Sequence, residues 1–439
     1  MKTAALITFG CSKNLVDSEV MLGYLAGAGY RFVSSPEDAD LIILNTCGFI
    51  QPAKEEAENA LVEAVDLKTR FPEKRIIATG CYVERYKGAL KARYPEVDDW
   101  LGVADFDKIV QASEGMPFFR APSPFLLNHT SPRAVSTPPG WAYLKISEGC
   151  SHQCSFCAIP LIKGSYRSRS ITSIAQEANN LALRGVKEID LISQDTTYFG
   201  RDLGLKDRLA LLLRELVGIG RLEWIRILYG YPEEISDALL EVMQDPKICR
   251  YLDIPFQHSD PMIIQKMGRA MDGERALRLL NNIRRRMPDV AVRTSLIVGF
   301  PGEGRREFNS LKRFVREARF DHLGVFTYSR EDQTGAFRWG DPISEKEKGE
   351  RKEEIMEIQA EISYEKNRQY LGRTIEVLVE GREDSFPRRL VGRGRFQAPE
   401  VDGVVFIDSR RALTRVANSV QRVEIVARDV YDLHGKFSP

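Results

Sequence analysis

The sequence predicts an α/β protein in three parts: an N-terminal parallel sheet, a partial (β/α)6 barrel and a small C-terminal antiparallel β-barrel. Three observations carry this reading. Apolar strand patterns alternate with helical ones over residues 1–113, six further strand–helix repeats fill residues 141–330, and after a long charged helix the period changes to simple alternation. At 439 residues the chain is too long for one ordinary core. Hydrophobic residues at 43% and charged residues at 28% fit a globular protein, and a formal charge of +1 gives no sign of a strongly basic nucleic-acid binder or an acidic tail.

The elements follow in order. KTAALITF, ADLIILN and KRIIATG are buried-strand runs, separated by helical spacing in SEVMLGYLAGAGY and AKEEAENALVEAVDL, so a βαβαβ parallel sheet is expected over 1–113. The opening apolar run leads into a Gly-Cys turn, which makes it a first strand rather than a signal peptide. No apolar stretch approaches a membrane span, which places the protein in the cytoplasm. Residues 114–140 are proline-rich and aperiodic, a linker. WAYLKIS, EIDLISQ, WIRILYG, YLDIPFQ, AVRTSLIVGF and HLGVFTY supply the six strands of a domain spanning 141–366, fewer than a closed eight-stranded barrel needs. That domain ends in a charged linker helix (344–366). Over 367–439, TIEVLVEG, RLVGRGRF, VDGVVFID and QRVEIVARDVYDL alternate as in a small antiparallel barrel.

The chemistry lies in the cysteines. There are seven, at 11, 47, 81, 150, 154, 157 and 249, and an odd number argues against a disulfide framework. Cys150, Cys154 and Cys157 can converge from one loop, directly after the first barrel strand, on a metal cluster. Three ligands leave one iron of a four-iron cluster open to a small molecule bearing an amine and a carboxylate. The alternative is structural zinc with His152 as fourth ligand. Cys11, Cys47 and Cys81 are 36 and 34 residues apart, too far for a local motif, yet each follows a predicted strand. In a parallel sheet those strand ends point the same way, so the three thiols can meet at the carboxyl edge. Three ordinary buried thiols are the bland alternative. Asn14, Asp17, Ser18, Asn45 and Thr46 lie beside them, and helix capping is the expected work of Asp17 and Ser18. Cys249 has no partner at ligand spacing and reads as a buried thiol.

SEGCSHQCSFCAIPLIKGSYRSR resembles the cluster loop of the radical S-adenosylmethionine (SAM) superfamily, and its CAIP and RSR portions resemble the methylthiotransferase branch. IVGFPGE is similar to the segment on which such enzymes rest the adenosyl group. GCSKNLVDSE, NTCGFIQPAKEE and TGC resemble the family's N-terminal domain, and YDLHG resembles the end of a TRAM domain. The match covers nearly the whole chain. It implies a flavodoxin-like N-terminal domain, a TIM-like radical SAM barrel, a C-terminal TRAM barrel and two 4Fe–4S clusters. One cluster, on Cys150, Cys154 and Cys157, would cleave SAM to start radical chemistry. The other, on Cys11, Cys47 and Cys81, would deliver sulfur, while another SAM supplies the methyl group. The SAM pocket would draw on Phe156, Gln194, Gln257, His258, Gly299, Gly302 and Glu303. No side chain is assigned as an acid–base catalyst, because the cofactors carry the chemistry.

Two substrates are open within the family: an aspartate β-carbon in small-subunit ribosomal protein twelve, and a modified adenosine in tRNA. Lys13 and Val16 in GCSKNLVDSE, and the triplet Gln194-Asp195-Thr196, resemble the ribosomal-protein branch. Lys163 stands where relatives often carry Arg, which keeps the charge but loses bidentate geometry. Over 367–439 there are 13 Lys/Arg and 10 Asp/Glu, a net of +3, with Arg382, Arg388, Arg389, Arg393 and Arg395 around one predicted hairpin. That run keeps RNA contact through the TRAM domain open beside the alternative of a solvated, charge-mixed face. A flavodoxin- or ferredoxin-type reducing partner is implied by the chemistry.

Overall fold

The computed structural model describes residues 2–118, 125–383, 385–408 and 413–438, without the side chains of residues 387 and 388. The first domain runs β1 (Thr3–Thr8), α1 (Ser12–Gly27), β2 (Arg31–Phe32), β3 (Leu41–Thr46), α2 (Gln51–Arg70), β4 (Arg75–Gly80), α3 (Cys81–Arg93), β5 (Asp99–Trp100) and α4 (Ile109–Ser113). Its strands form one parallel sheet in the order β2-β1-β3-β4-β5, the flavodoxin-like arrangement, with its switch point between β1 and β3. Every residue of β3 is buried, which is why it reads as a continuous apolar run. Ile42, Leu44, Ile76 and Ala78 pack with Ala57 and Leu61 of α2 in the core. The edge strands β2 and β5 have two residues each, too few to show a period.

The second domain contains β6 (Trp141–Lys145), β7 (Ser147–Glu148), α5 (Ile159–Lys163), β8 (Arg167–Ser168), α6 (Ile171–Leu183), β9 (Glu188–Ile192), α7 (Arg208–Val217), β10 (Trp224–Ile227), α8 (Asp237–Val242), β11 (Tyr251–Asp253), α9 (Pro261–Lys266), α10 (Gly273–Arg286), β12 (Ala291–Val298), α11 (Arg305–Ala318), β13 (His322–Thr327) and α12 (Glu345–Asn367). All six expected barrel strands are present. They hydrogen-bond as two sheets, β10-β9-β6 and β11-β12-β13, and an isolated parallel bridge from Ile225 to Ile248 joins β10 to the segment before β11.

The last domain is a closed barrel of β14 (Thr374–Glu383), β15 (Phe386–Gly394), β16 (Val405–Asp408), β17 (Ser419–Arg428) and β18 (Leu433–Phe437), in the order β14-β15-β16-β18-β17. It departs from the expected antiparallel pattern at one seam, where β16 and β18 run parallel. Its core is Val377, Val379, Leu390, Val405, Ile407, Val423, Ile425 and Leu433.

This barrel sits against the amino-terminal ends of the larger barrel's strands. Arg393 is buried and pairs with Glu188, the first residue of β9, at 2.7 Å and with Glu380 at 2.6 Å. Arg226 of β10 pairs with the same Glu188 at 2.7 Å. The hydroxyl of Tyr251, the first residue of β11, donates to Asp402 at 2.7 Å, and that of Tyr143 in β6 donates to Glu400 at 2.8 Å. Burial alone would raise the Glu188 carboxyl, yet Arg393 and Arg226 hold it down to about 2. Asp190 beside them is pushed well up by burial and by Glu188.

The basic hairpin expected from the sequence is therefore not one exposed patch. Arg393 is interior, and Arg395 donates to the Ile248 carbonyl at 3.1 Å. Arg389 pairs with Glu383 at 3.2 Å and lies over Phe386. The Arg388 side chain lies outside the described residues.

By packing, the chain divides into two units that do not follow chain order. The first is Met1–Ser136 with Lys145–Ser173 and Ser329–Phe337; the second is Thr137–Leu144 with Ile174–Tyr328 and Arg338–Pro439. The loop holding Cys150, Cys154 and Cys157 thus belongs to the same unit as the N-terminal sheet. No helix among the described residues is long and apolar enough to cross a membrane.

Candidate functional site

Cys11, Cys47 and Cys81 each follow a parallel strand at the carboxyl edge of the first sheet, around its switch point. Close backbone packing draws their turns together. Gly10 has φ +92°, and a Cβ there would lie 2.8 Å from the Sγ of Cys47. A Cβ on Gly48 would lie 2.6 Å from Tyr82 Cα and 3.0 Å from the Cys81 carbonyl carbon. Asn14 Nδ2 donates to the Phe9 carbonyl at 2.9 Å and the Thr46 carbonyl at 3.2 Å, while Asn45 Nδ2 returns a bond to the Asn14 carbonyl at 2.9 Å. Thr46 Oγ1 donates to the Thr79 carbonyl at 2.5 Å, tying the β3 end to the β4 end.

Capping is not the work of Asp17 and Ser18. Ser18 Oγ accepts from Thr8 Oγ1 at 2.7 Å and from Asn45 Nδ2 at 2.8 Å. Asp17 pairs with Lys163 at 3.0 Å and with Lys145. Both side chains lie beyond the first turn of α1, where the orphan N–H groups that a cap would satisfy have ended.

Exposure falls along the triad, with Cys11 exposed, Cys47 half-buried and Cys81 buried. Burial raises the Cys47 thiol to about 11 and the Cys81 thiol to about 12, the latter against the pull of Lys163. Bare thiolates are therefore disfavoured here, and a bound positive centre would reverse that balance. Three soft donors on converging backbone turns fit an iron–sulfur cluster. Among the described residues, no three His, Cys, Asp or Glu side chains come within reach of one ion. The thiolates around a polynuclear cluster bind separate irons and stand further apart than the ligands of a single zinc.

The second triad follows β6 along the chain. The antiparallel pair β7–β8 closes the base of the loop through Ser147 with Ser168 and Glu148 with Arg167. Gly149 has φ +79°, and a Cβ there would sit 2.3 Å from the Ser165 carbonyl. Cys150 N donates to the Gly164 carbonyl at 3.0 Å, and Cys157 N to the Cys154 carbonyl at 3.1 Å. Cys150 is buried, while Cys154, Phe156 and Cys157 are half-buried. Cys81 packs in one apolar cluster with Val103 and with Ala158 and Ile162, which lie just past Cys157 in the chain.

Within the second unit, the remaining predicted residues cluster at carboxyl strand ends. Gln194 and Asp195 follow β9, and Asp195 Oδ1 accepts from Thr197 N at 2.9 Å and Tyr198 N at 3.1 Å, fixing that turn. Tyr229 and Gln257 take left-handed backbone conformations, at φ +61° and +69°. Such non-glycine outliers concentrate at functional sites.

His258 is fully buried: Nδ1 accepts from Asp260 N at 3.0 Å, so Nε2 carries the proton and donates to Glu303 at 3.2 Å. Glu303 also accepts from Gly299 N at 3.1 Å and pairs with Arg351 at 2.5 Å. These side chains brace the Gly299–Glu303 turn from inside. Gly299 has φ +78°, and a Cβ there would strike Lys348 Cγ at 2.4 Å. Arg351 and Lys348 carry no local signal, since both lie in the long, highly charged helix α12. Cys249 is a buried thiol beside Arg226, as expected.

Three family models match in succession: an uncharacterized protein family, UPF0004, over residues 3–102, the radical SAM superfamily over 144–315 and the TRAM domain over 371–437. Among solved structures, the radical SAM methyltransferase TsrM from Kitasatospora setae, with cobalamin and a [4Fe-4S] cluster bound, superposes with a TM-score of 0.55 at 14% identity. That likeness covers 76% of this chain and 77% of TsrM, and at such identity it speaks to the fold alone. Curated relatives are far nearer. The ribosomal protein uS12 methylthiotransferase RimO of Pelobacter propionicus is 43% identical over 98% of this chain and 97% of its own. That of Aquifex aeolicus is 44% identical over 98% and 96%. With near-complete coverage at this identity, the chain belongs to the radical SAM methylthiotransferase family, in the RimO branch.

Proposed function

We propose that this chain is a radical SAM methylthiotransferase that adds a methylthio group to the β-carbon of an aspartate in ribosomal protein uS12. The observation that carries the reading is the gathering of two cysteine triads in one packed unit, in a chain aligned end to end with uS12 methylthiotransferases. The alternative of a tRNA adenosine is not favoured by these relatives.

In this reading Cys150, Cys154 and Cys157 hold the cluster that binds SAM, and Cys11, Cys47 and Cys81 hold the cluster that delivers sulfur. When bound, the clusters and SAM supply the radical, the sulfur and the methyl group. The chain's own residues orient and exclude. Gly149 and the β7–β8 pair set the Cys150–Cys157 loop, and the Asn14–Asn45 exchange fixes the turns of Cys11 and Cys47. Phe156, Gln194, Gln257 and the Gly299–Gly302 backbone are assigned to SAM, with His258 and Glu303 behind that turn. Because the acid–base side chains of the turn are consumed by each other, no proton-transfer role is assigned to them.

The reducing partner is a flavodoxin- or ferredoxin-type protein, the setting is the cytoplasm, and the substrate is uS12 free or on the ribosome. Any RNA contact by the TRAM barrel would use faces other than the one carrying Arg393. Intact-mass analysis of uS12 after incubation with the reduced enzyme and SAM tests the function. A methylthio gain on uS12 is expected; a gain found on tRNA and absent from uS12 would overturn it.

A further inference from the structure

Four buried charges form a closed ring in the first unit. Lys145 pairs with Glu148 at 2.6 Å and with Asp17; Lys163 pairs with Asp17 at 3.0 Å and with Glu148 at 3.3 Å. Their side chains are between 2% and 7% exposed, and two ammonium groups meet two carboxylates. Removing four ions from water is expensive, and such groups are often replaceable by apolar residues without loss of stability. A complete buried ring therefore points to geometry rather than to stability.

Its members are placed accordingly. Asp17 lies on α1, the helix that Cys11 opens, and Glu148 lies two residues before Cys150. Lys163 ends α5, the helix that follows Cys157. Lys145 ends β6, and its carbonyl accepts from the Arg169 guanidinium at 2.6 Å. A second clamp acts from another side. Glu331 accepts from Arg85 of α3 at 2.7 Å and from Lys54 of α2 at 2.9 Å. The same segment reaches the cysteine loop, where Ala336 N donates to the carbonyl of Ser155, between Cys154 and Cys157, at 2.7 Å.

We infer that Asp17, Lys145, Glu148 and Lys163 are positioning residues, whose buried ring locks the Cys11–Cys47–Cys81 edge and the Cys150–Cys154–Cys157 loop in fixed register. The sulfur-bearing and radical-generating centres are then preset in the resting enzyme instead of being brought together by substrate. The role in transfer rests on the proposed function; the register itself does not.

The test uses the reconstituted full-length enzyme with the charge-balanced double variant Asp17→Asn/Lys163→Met, which leaves the Lys145–Glu148 pair intact. Iron and sulfide content should match wild type, while the magnetic coupling between the two reduced clusters, read by electron paramagnetic resonance, weakens. SAM cleavage to 5′-deoxyadenosine should persist, while methylthio transfer falls on the order of 10²-fold, as expected when reacting groups shift by about 1 Å. Lys163→Arg, which can still bridge both carboxylates, should restore the coupling. Unchanged coupling and transfer in the double variant would overturn the inference, and so would loss of iron from either triad, which would make the ring a folding element. If wild type shows coupled clusters yet leaves uS12 unmodified, the substrate reading fails and the register stands.

Discussion

Replacing Arg393 by Met should loosen the C-terminal barrel from the larger one. Arg393 is 1% exposed and donates to Glu188, Glu380 and the Gln397 carbonyl at 2.7–2.9 Å, so its removal takes one of two cations from buried Glu188 and a close cation from half-buried Glu380. Breaking a buried ion network by deleting one partner costs about 3–5 kcal/mol. Arg393 and Arg226 together hold the Glu188 carboxyl low against the burial that would raise it. Because Arg226 remains 2.7 Å from Glu188, the lower end, about 3 kcal/mol, is expected. Urea unfolding followed by tryptophan fluorescence measures it: Trp141 lies 5.5 Å from the Arg393 guanidinium, so the earliest transition reports this seam. Arg389→Met, which removes partly exposed pairs, is the control and should change stability by no more than about 1 kcal/mol. A loss of under about 1 kcal/mol for Arg393→Met would refute the claim that this arginine anchors the barrel.

Three further outcomes follow from the same geometry. The Glu188 contribution is present in full above pH 4.5 and disappears as pH falls towards 2, since a carboxyl with a depressed folded value stabilises only while ionised. Unfolding midpoints across that window should fall for wild type and fall less for Arg393→Met; parallel curves would contradict the assignment. Cys150→Ala should lose half of the iron and all SAM cleavage while keeping the other cluster's spectrum, whereas loss of both clusters would show that the triads do not assemble independently. Gly299→Ala forces a methyl group into a φ of +78° and against Lys348, a strain of about 1–3 kcal/mol. Calorimetric titration should therefore find weaker SAM binding at unchanged iron content, and unaltered affinity would remove this turn from the SAM site.

Much of this was legible in the sequence because its chemistry is carried by short-range patterns. Cys150, Cys154 and Cys157 declare themselves by spacing. Cys11, Cys47 and Cys81 do so by position, because buried parallel strands are unmistakable apolar runs and each cysteine follows one. The unread features share a physical cause: they depend on partners distant in the chain. Lys145 sits inside a strand that reads as apolar, and its partner Asp17 is 128 residues away, so nothing local distinguishes an ion ring from a cap. Arg393 looked like part of a surface run because its main carboxylate partner, Glu188, is 205 residues distant. Arg351 and Lys348 were hidden by the charge of α12, whose exposed and buried cations look alike in sequence. The strands β2 and β5 and the parallel β16–β18 seam exist by pairing alone, which leaves no periodic trace.

The central claim is a division of labour, with one triad starting the radical and the other supplying sulfur. It is tested most directly by measuring 5′-deoxyadenosine and the mass of uS12 together in reduced, reconstituted Cys81→Ala. The account predicts continued 5′-deoxyadenosine formation with no methylthio gain on uS12. Methylthiolated uS12 at the wild-type yield would contradict it.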